Sequence, residues 1–501
     1  MQKGKEIKKI IFIEAKPPDF HVFSRIPLPR LGTILLGTIL KQAGYEVSSY
    51  VEEFADIELD DLLTADAVGL STLTSTTPRS YEIADQLKKH GITVFMGGPH
   101  VTYIPDEAIE HCDYVMRGEA DETILDFIHA LEKGEGFEAI PGLTYRQDGN
   151  VVHNKSVSIC KDLDALPAPD YTILKGIGTD VYKLEIAPIM TSRGCPYDCS
   201  FCSVTSMFGH KFRYRAKEKV LDELRLHKEA GGKFVFFYDD NFTINRKRAK
   251  ALLQSMIDEE LTPRWTAQVS VDVAKDLELV KLMQKSKCYT VYIGLESINP
   301  ETLKAYNKKQ TVEDIENCIS ILHQHNINVH GMFVFGSDED TVETIHATVD
   351  FAKRNNIETV QFLILTPLPG TRMYHELDQQ GRIFSKDWSL YDAHHVVYKP
   401  KNMTYHELQV ETMKATKRFY SVGQIIKRAV RLQVLTTSLK AYGRHMSKTW
   451  DRRNKYFVEY TKSITDAGKI LDLKAKQTAE DIKDKFRQIE LTGQAPQPKI
   501  R

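Results

Sequence analysis

The sequence predicts an α/β protein made of two consecutive β/α series closed by a helical C-terminal region. Three observations carry this. Strand-like runs alternate with helical patterns through the first third, as in a doubly wound, Rossmann-like parallel sheet. A second series of about six strand-then-helix units starts near Leu184. That rhythm stops beyond Trp388, and from Thr404 the chain is helical in character. The matching division is 1–160 for the first domain, 161–183 for a linker, 184–388 for the second domain and 389–501 for the helical region. At 501 residues the chain exceeds one ordinary domain.

Within the first series, strands are expected at Ile7–Ala15, Glu46–Glu52, Ala67–Thr72, Thr93–Met96 and Tyr114–Met116, with helices at Arg30–Gly44 and Arg79–His90. A helix from Gly118-Glu119-Ala120-Asp121-Glu122 to Leu131 follows, its acids placed to favour the N-terminus. Asp162–Tyr171, DLDALPAPDY, is Pro-rich and reads as the linker. Strands of the second series fall at Leu184–Met190, Lys233–Tyr238, Trp265–Val271, Thr290–Gly294, Asn328–Phe335 and Thr359–Leu365.

Hydrophobic residues make up 42%, ample for real cores, and 67 Lys plus Arg against 68 Asp plus Glu leave no global field for nucleic acid. Seven cysteines, three of them clustered, do not form a disulfide framework and imply a reducing, cytoplasmic setting. The N-terminal apolar run is too short for a signal peptide, and no uninterrupted apolar stretch is long enough to span a membrane.

The chemistry concentrates in Met190–Cys202, MTSRGCPYDCSFC, where Cys195, Cys199 and Cys202 stand at C-x3-C-x2-C spacing after the first strand of the second series. Three thiolates hold three irons of a [4Fe–4S] cubane and leave the fourth open, whereas purely structural clusters usually take four cysteines. The alternatives are three buried cysteines or half a zinc site with His210 as a further ligand. With Phe201 inside the last pair, the motif resembles that of radical S-adenosylmethionine (SAM) enzymes. The resemblance implies a partial (β/α)6 barrel, SAM chelated on the open iron, and cleavage of SAM to a 5′-deoxyadenosyl radical. Barrel sites lie at the carboxyl ends of the strands.

Those strand ends carry further matches. The second ends in Tyr238-Asp239-Asp240-Asn241-Phe242, and paired carboxylates are costly unless they meet cations such as the SAM ammonium and sulfonium. A helix N-cap would account for Asp240 alone. The third strand ends near Gln268, Ser270 and Asp272, placed for the ribose or the methionine carboxylate. In the fourth, G-L-E-S puts Glu296 and Ser297 near the adenosyl hydroxyls or the amino-acid end, and Gly336 after the fifth lets the backbone pass close to adenine. The sixth is followed by L-T-P-L-P-G-T, Leu365–Thr371.

Ser71-Thr72-Leu73 and Gly97-Gly98 follow the third and fourth strands of the first series, where doubly wound sheets bind ligands. This resembles a cobalamin-binding domain, and over residues 7–400 the chain resembles cobalamin-binding radical SAM enzymes, the group of hopanoid and bacteriochlorophyll-precursor methylases. An α/β domain that has lost the ligand is the plain alternative. Asp19-Phe20-His21 keeps the D-x-H of a cobalt-ligand motif without its glycine, so water or nothing below cobalt is expected rather than His21. The resemblance implies a methyltransferase acting on an unactivated carbon, with one SAM methylating cobalamin and a second generating the radical. A radical cyclase or oxidoreductase of the same build, or a non-catalytic cluster-binding protein, are the other readings. A small-molecule substrate and an external donor such as flavodoxin or ferredoxin are implied.

In the helical region, His394 and His395 read as packing or cavity-lining residues. Gln424–Lys448 reads as one basic amphipathic helix, docked on the barrel or lying on an anionic membrane, the latter favouring a hydrophobic substrate. The charged tail Thr465–Arg501 is expected to fray.

Overall fold

The computed structural model describes residues 4–17, 28–155, 157, 159–176, 186–430, 432 and 434–469. His21 and the tail beyond residue 469 lie outside them. The first sheet contains β1 (Lys9–Glu14), β2 (Glu46–Val51), β3 (Ala67–Ser71), β4 (Thr93–Gly97), β5 (Tyr114–Met116), β6 (Leu143–Gln147) and β7 (Asn150–His153), in the order β2-β1-β3-β4-β5-β6-β7. β1 to β5 pair in parallel, and β6 and β7 add antiparallel. The sequence reading missed β6 and β7. They form a short hairpin at the sheet edge whose outer strand has no buried residue, so its apolar signal is weak.

Central β1, KIIFIE, is buried from its second residue on, as a strand covered on both faces must be. Gly69 of β3 is required there. A Cβ would stand 2.5 Å from the Phe95 ring and 2.9 Å from Phe12, which meet edge to face at 5.8 Å. The order reverses between β1 and β3, and ligands of such sheets sit outside the strands' carboxyl ends at that switch point.

The second sheet joins β8 (Ala187–Ile189), β11 (Phe234–Phe237), β12 (Arg264–Val269), β13 (Cys288–Glu296), β14 (Asn328–Phe335) and β15 (Thr359–Ile364), all parallel and in sequential order. A two-stranded ribbon of β9 (Ser192–Arg193) and β10 (Arg213–Tyr214) lies between β8 and β11 in the chain. Burial alternates strictly along β11, β12 and β15. Buried Val235, Ala267 and Phe362 join the core shared with the outer helices, while half-buried Phe236, Gln268 and Gln361 line a cavity inside the incomplete barrel.

The helical region closes the open edge at β15. Helix Tyr405–Phe419 starts on a capping box between Thr404 and Glu407. At its end the Tyr420 hydroxyl accepts from the Val360 N–H (3.0 Å) and donates to the Val360 carbonyl (2.8 Å), satisfying an edge-strand residue that has no neighbour strand. The single helix expected over Gln424–Lys448 is two helices, Val422–Val430 and Val434–Arg453, packed against each other. They are separated at Leu432, whose φ of 56° is left-handed and incompatible with a continuing helix.

Lys440, only 1% exposed, places its ammonium 3.7 Å from the Phe419 ring centroid. Burial, with help from Arg428, pushes its pKa down from 10.5 to about 7. The unfolded chain therefore holds more protons between those values, and stability rises with pH across that window. The cation–π contact with Phe419 opposes the shift without cancelling it. Lys440→Met is expected to raise the denaturation midpoint at pH 6 and to flatten its rise toward pH 9. A wild-type midpoint that does not rise over this range refutes the assignment.

Candidate active site

The cysteine loop leaves the barrel at β8, forms β9, and runs from Gly194 into helix Ser203–Phe208, with Cys202 as its N-cap residue. Gly194 has φ +94°, and a Cβ there would stand 2.9 Å from the Lys211 carbonyl, so the turn needs glycine. The loop is held down along its length. The Ser200 N–H donates to the Tyr306 carbonyl (3.3 Å), Phe201 packs edge-on against Tyr306, and the Asp198 carbonyl accepts from Asn307 and Arg372. The Tyr197 hydroxyl donates to Asp272 (3.0 Å), giving that strand-end acid a role in fixing the loop.

Cys195, Cys199 and Cys202 are free and half-buried. Burial raises all three thiols, that of Cys202 to about 12, and each of the latter two is raised further by the charge of its cysteine neighbours. The cation set against them is Lys308, whose ammonium is 3.0 Å from Glu296. Among the described residues no three His, Cys, Asp or Glu converge on a single-ion site, and the zinc reading with His210 lacks a ligand set. Three neighbouring thiols on one loop beside a buried ammonium fit a [4Fe–4S] cluster, which spreads its thiolates wider than one ion does and carries net negative charge with them.

Strand-end residues divide by what they touch. Asp239 is buried, and its oxygens accept from the Thr191 and Ser192 N–H groups (2.8 Å each) and the Thr191 hydroxyl (2.5 Å); it locks β11 to the end of β8. Asp240 lines a cavity, and burial together with the Asp239 charge pushes its pKa up to about 7. Gln268 lines that cavity and the neighbouring one. Glu296, at a register shift ending β13, has φ +59°, a strained conformation for a non-glycine residue and one that collects at functional sites. The buried Ser297 hydroxyl accepts from the Asn299 N–H (3.0 Å). Gly336 meets the helical region: a Cβ there would be 2.2 Å from the Tyr398 hydroxyl and 2.8 Å from Leu408. His395 is buried between Asp392 (2.9 Å) and Asn454 (3.0 Å), and His394 donates its N–H to Asp392.

On the first sheet, Ser71, Gly97 and Gly98 line the same cavity as Asp240. Thr72 is buried behind them with its hydroxyl on the Gly97 carbonyl (3.0 Å), and Gly98, φ +103°, lets the chain pass close to the Thr72 backbone, since a Cβ would lie 2.5 Å from the Thr72 carbonyl oxygen. The sequence reading missed Arg30. At the β1/β3 switch point it donates to Glu14 (3.1 Å) and the Ser71 carbonyl (3.2 Å), while its Nη1 is buried without an acceptor. The cavity of about 470 Å³ shares Leu28, Arg30, Leu73, Phe236 and Gln268 with a second of about 400 Å³, so the two adjoin each other between the first domain and the inner face of the barrel. A glycine-lined rim and an unsatisfied guanidinium N–H fit cobalamin, whose peripheral amides supply acceptors.

The acids after Gly118 do not cap a helix, which begins only at Ile124. Glu119 and Asp121 instead cross to the cysteine loop. Glu119 accepts from Arg193 (2.7 Å) and from both terminal nitrogens of Arg213 (2.6 and 2.9 Å), and Asp121 accepts from Arg193 (2.7 and 3.0 Å). All four side chains are at most 10% exposed. Arg193 immediately precedes Gly194-Cys195, so this network fixes the cysteine loop against the rim of the first sheet.

Comparison with known proteins finds two matching domains along the chain. Residues 26–128 match the B12 binding domain model and residues 189–352 the radical SAM superfamily model. An uncharacterized methyltransferase of Pyrococcus horikoshii is 34% identical over 85% of this chain and 98% of its own. The bacteriochlorophyllide d C-12(1)-methyltransferase of Chlorobaculum tepidum is 32% identical over 79% of this chain and 84% of its own. In fold, the structure of the cobalamin-dependent S-adenosylmethionine radical enzyme OxsB superposes with a TM-score of 0.68 at 15% identity, covering 95% of this chain and 80% of that one. The chain therefore belongs to the cobalamin-dependent radical SAM methyltransferase family, enzymes that use a [4Fe–4S] cluster, SAM and cobalamin.

Proposed function

We propose that this enzyme transfers a methyl group to an unactivated carbon of a small, largely apolar molecule bound inside the barrel. One observation carries the reading: two adjoining cavities, with Arg30, Phe236 and Gln268 in their common wall, reach from the rim of the first sheet and Asp240 to the inner face of the barrel strands. When bound, the cluster supplies the electron that cleaves SAM and cobalamin carries the methyl group. Cys195, Cys199 and Cys202 hold the cluster, with Lys308 offsetting its charge. Asp240, Gln268, Glu296 and Ser297 receive the polar ends of SAM, while Asp239 and Gly336 act from behind by fixing strand ends. Ser71, Gly97 and Gly98, backed by Thr72, form the cobalamin cradle. On its barrel side the second cavity offers Phe236, Tyr292 and Met332 as apolar walls and Gln361 as an uncharged hydrogen-bonding group, which suits a largely apolar substrate, while Glu14, Arg30 and Glu53 on the opposite, first-domain side receive its polar end.

The electron comes from an external donor such as flavodoxin or ferredoxin, in the cytoplasm, with peripheral membrane contact through residues 424–448. No helix among the described residues is long and apolar enough to cross a membrane.

Anaerobic reconstitution with SAM, cobalamin and a chemical reductant tests the reading without knowledge of the substrate. Both 5′-deoxyadenosine and S-adenosylhomocysteine are expected, the second only when cobalamin is present. Formation of 5′-deoxyadenosine alone by cobalamin-loaded protein would overturn methyl transfer in favour of a ring-forming or oxidoreductase reaction. Asp240→Asn removes a charge-assisted contact to the SAM ammonium worth about 1.5–3 kcal/mol. SAM affinity is then expected to fall about 10- to 150-fold by titration, and an unchanged affinity would exclude Asp240 from the SAM site.

A further inference from the structure

The turn between helices Val422–Val430 and Val434–Arg453 exposes an apolar tip. Ile426 is 57% exposed, Val430 77%, Leu432 86% and Val434 76%, and no element of the described chain covers them. Singly exposed apolar residues are ordinary; four within nine positions at the end of a helical hairpin form a patch. Its surroundings are one-signed. Residues 412–450 hold nine Lys or Arg and no Asp or Glu, in a chain whose net charge is −1. Lys414, Lys417 and Arg418 are neutralised at the far end by Glu411, Asp451 and Asp350. Nearer the tip, Lys427 is exposed, and Lys448 is exposed on the second helix.

An apolar tip beside an exposed lysine, on helices that carry no acid between Glu411 and Asp451, is the chemistry of an interfacial, monotopic element. The apolar side chains enter the headgroup boundary while the lysines meet anionic headgroups. Self-association is disfavoured, because an isologous contact would bring two acid-free basic segments together. We propose that this hairpin tip docks on an anionic lipid bilayer and holds the enzyme at the membrane surface. The inference rests on the peripheral-contact reading and assigns that contact to named residues and a lipid charge.

The test is cosedimentation of the reconstituted enzyme with phosphatidylglycerol/phosphatidylcholine vesicles and with pure phosphatidylcholine vesicles. Binding is expected only to the first and is released by high salt. The variant Val430→Ser/Leu432→Ser/Val434→Ser is expected to lower the partition coefficient at least about tenfold, and Lys427→Glu/Lys448→Glu to lower it similarly, neither altering basal 5′-deoxyadenosine formation. Failure to bind any vesicle overturns the peripheral-contact reading itself. Binding unchanged in both variants leaves that reading standing and overturns the hairpin assignment. A concentration-dependent dimer that the serine variant dissolves, without vesicle binding, replaces the bilayer with a second copy of the chain.

Discussion

Cys195→Ala, Cys199→Ala and Cys202→Ala are each expected to eliminate the reductive cleavage of SAM, with iron, sulfide and the cluster's visible absorption lost together. The reason is the absence of a substitute ligand. Cys288 and Cys318 are buried in the barrel core, Cys112 and Cys160 belong to the packing of the first domain and its linker, and none is on the loop. Each deleted thiol is half-buried, and the loop keeps its hydrogen bonds to Tyr306, Asn307, Arg372 and Asp272, so the fold is expected to survive. Cobalamin binding supplies the control. The cradle proposed for it lies on the first sheet, at Ser71, Gly97 and Gly98, and retention is expected to be unchanged in the Cys202→Ala protein. Cys318→Ala, which removes a thiol from the barrel core, is expected to keep the cluster at a modest cost in stability of about 1 kcal/mol. A Cys202→Ala protein that still yields 5′-deoxyadenosine at the wild-type rate would refute the ligand assignment.

What could be read from the sequence was what is local. The period of KIIFIE and the C-x3-C-x2-C spacing are each written within a few consecutive residues and every strand-then-helix unit in one continuous stretch, and the corresponding strands lie where their patterns put them, Asn328–Phe335 at both ends and the others with small shifts at their ends. The end of the third barrel strand is an instance of such a shift. Val271 continues an apolar alternation, but the chain turns into a 3-10 helix over Val271–Lys275 because Ser270 accepts the Val273 N–H. Pairings between distant positions left no such trace. Tyr420 on Val360, Arg30 on Glu14 and Ser71, and Glu119 on Arg213 join residues from 16 to 94 positions apart. In each case one partner has an ordinary local explanation, as Glu119 did in helix capping. The roles of Asp239 and Asp240 were likewise indistinguishable in a D-D pair. They part only when β11 is set beside β8, which turns one carboxylate into the Thr191 and Ser192 amides and leaves the other at the cavity.

Glu119→Gln is expected to show the largest loss of stability from any single change at the site, and to separate two roles of the buried network. Removing the carboxylate strands Arg213 and part of Arg193 without counter-charge in a region at most 10% exposed, a situation that costs about 3–5 kcal/mol. The drop should appear as a lower denaturation midpoint of the cobalamin-loaded protein. A purely structural network would be replaceable by apolar side chains, and such replacements of buried ion pairs are often neutral or stabilising. The double change Glu119→Leu/Arg213→Met is therefore expected to recover most of the midpoint. It is not expected to recover coupling between the two halves of the site, because Arg193, adjoining Gly194-Cys195, then keeps Asp121 as its one carboxylate across to the first domain. A loop free to shift by about 1 Å loses the alignment on which reaction between separately held groups depends. The readout is the ratio of 5′-deoxyadenosine to methylated product once a substrate is in hand, or to S-adenosylhomocysteine before then. In the double variant it should rise while cluster content and cobalamin retention stay at wild-type levels. A restored midpoint with an unchanged ratio would reduce the network to packing; a raised ratio would make Glu119 and Asp121 the residues through which the first sheet sets the position of the cluster loop.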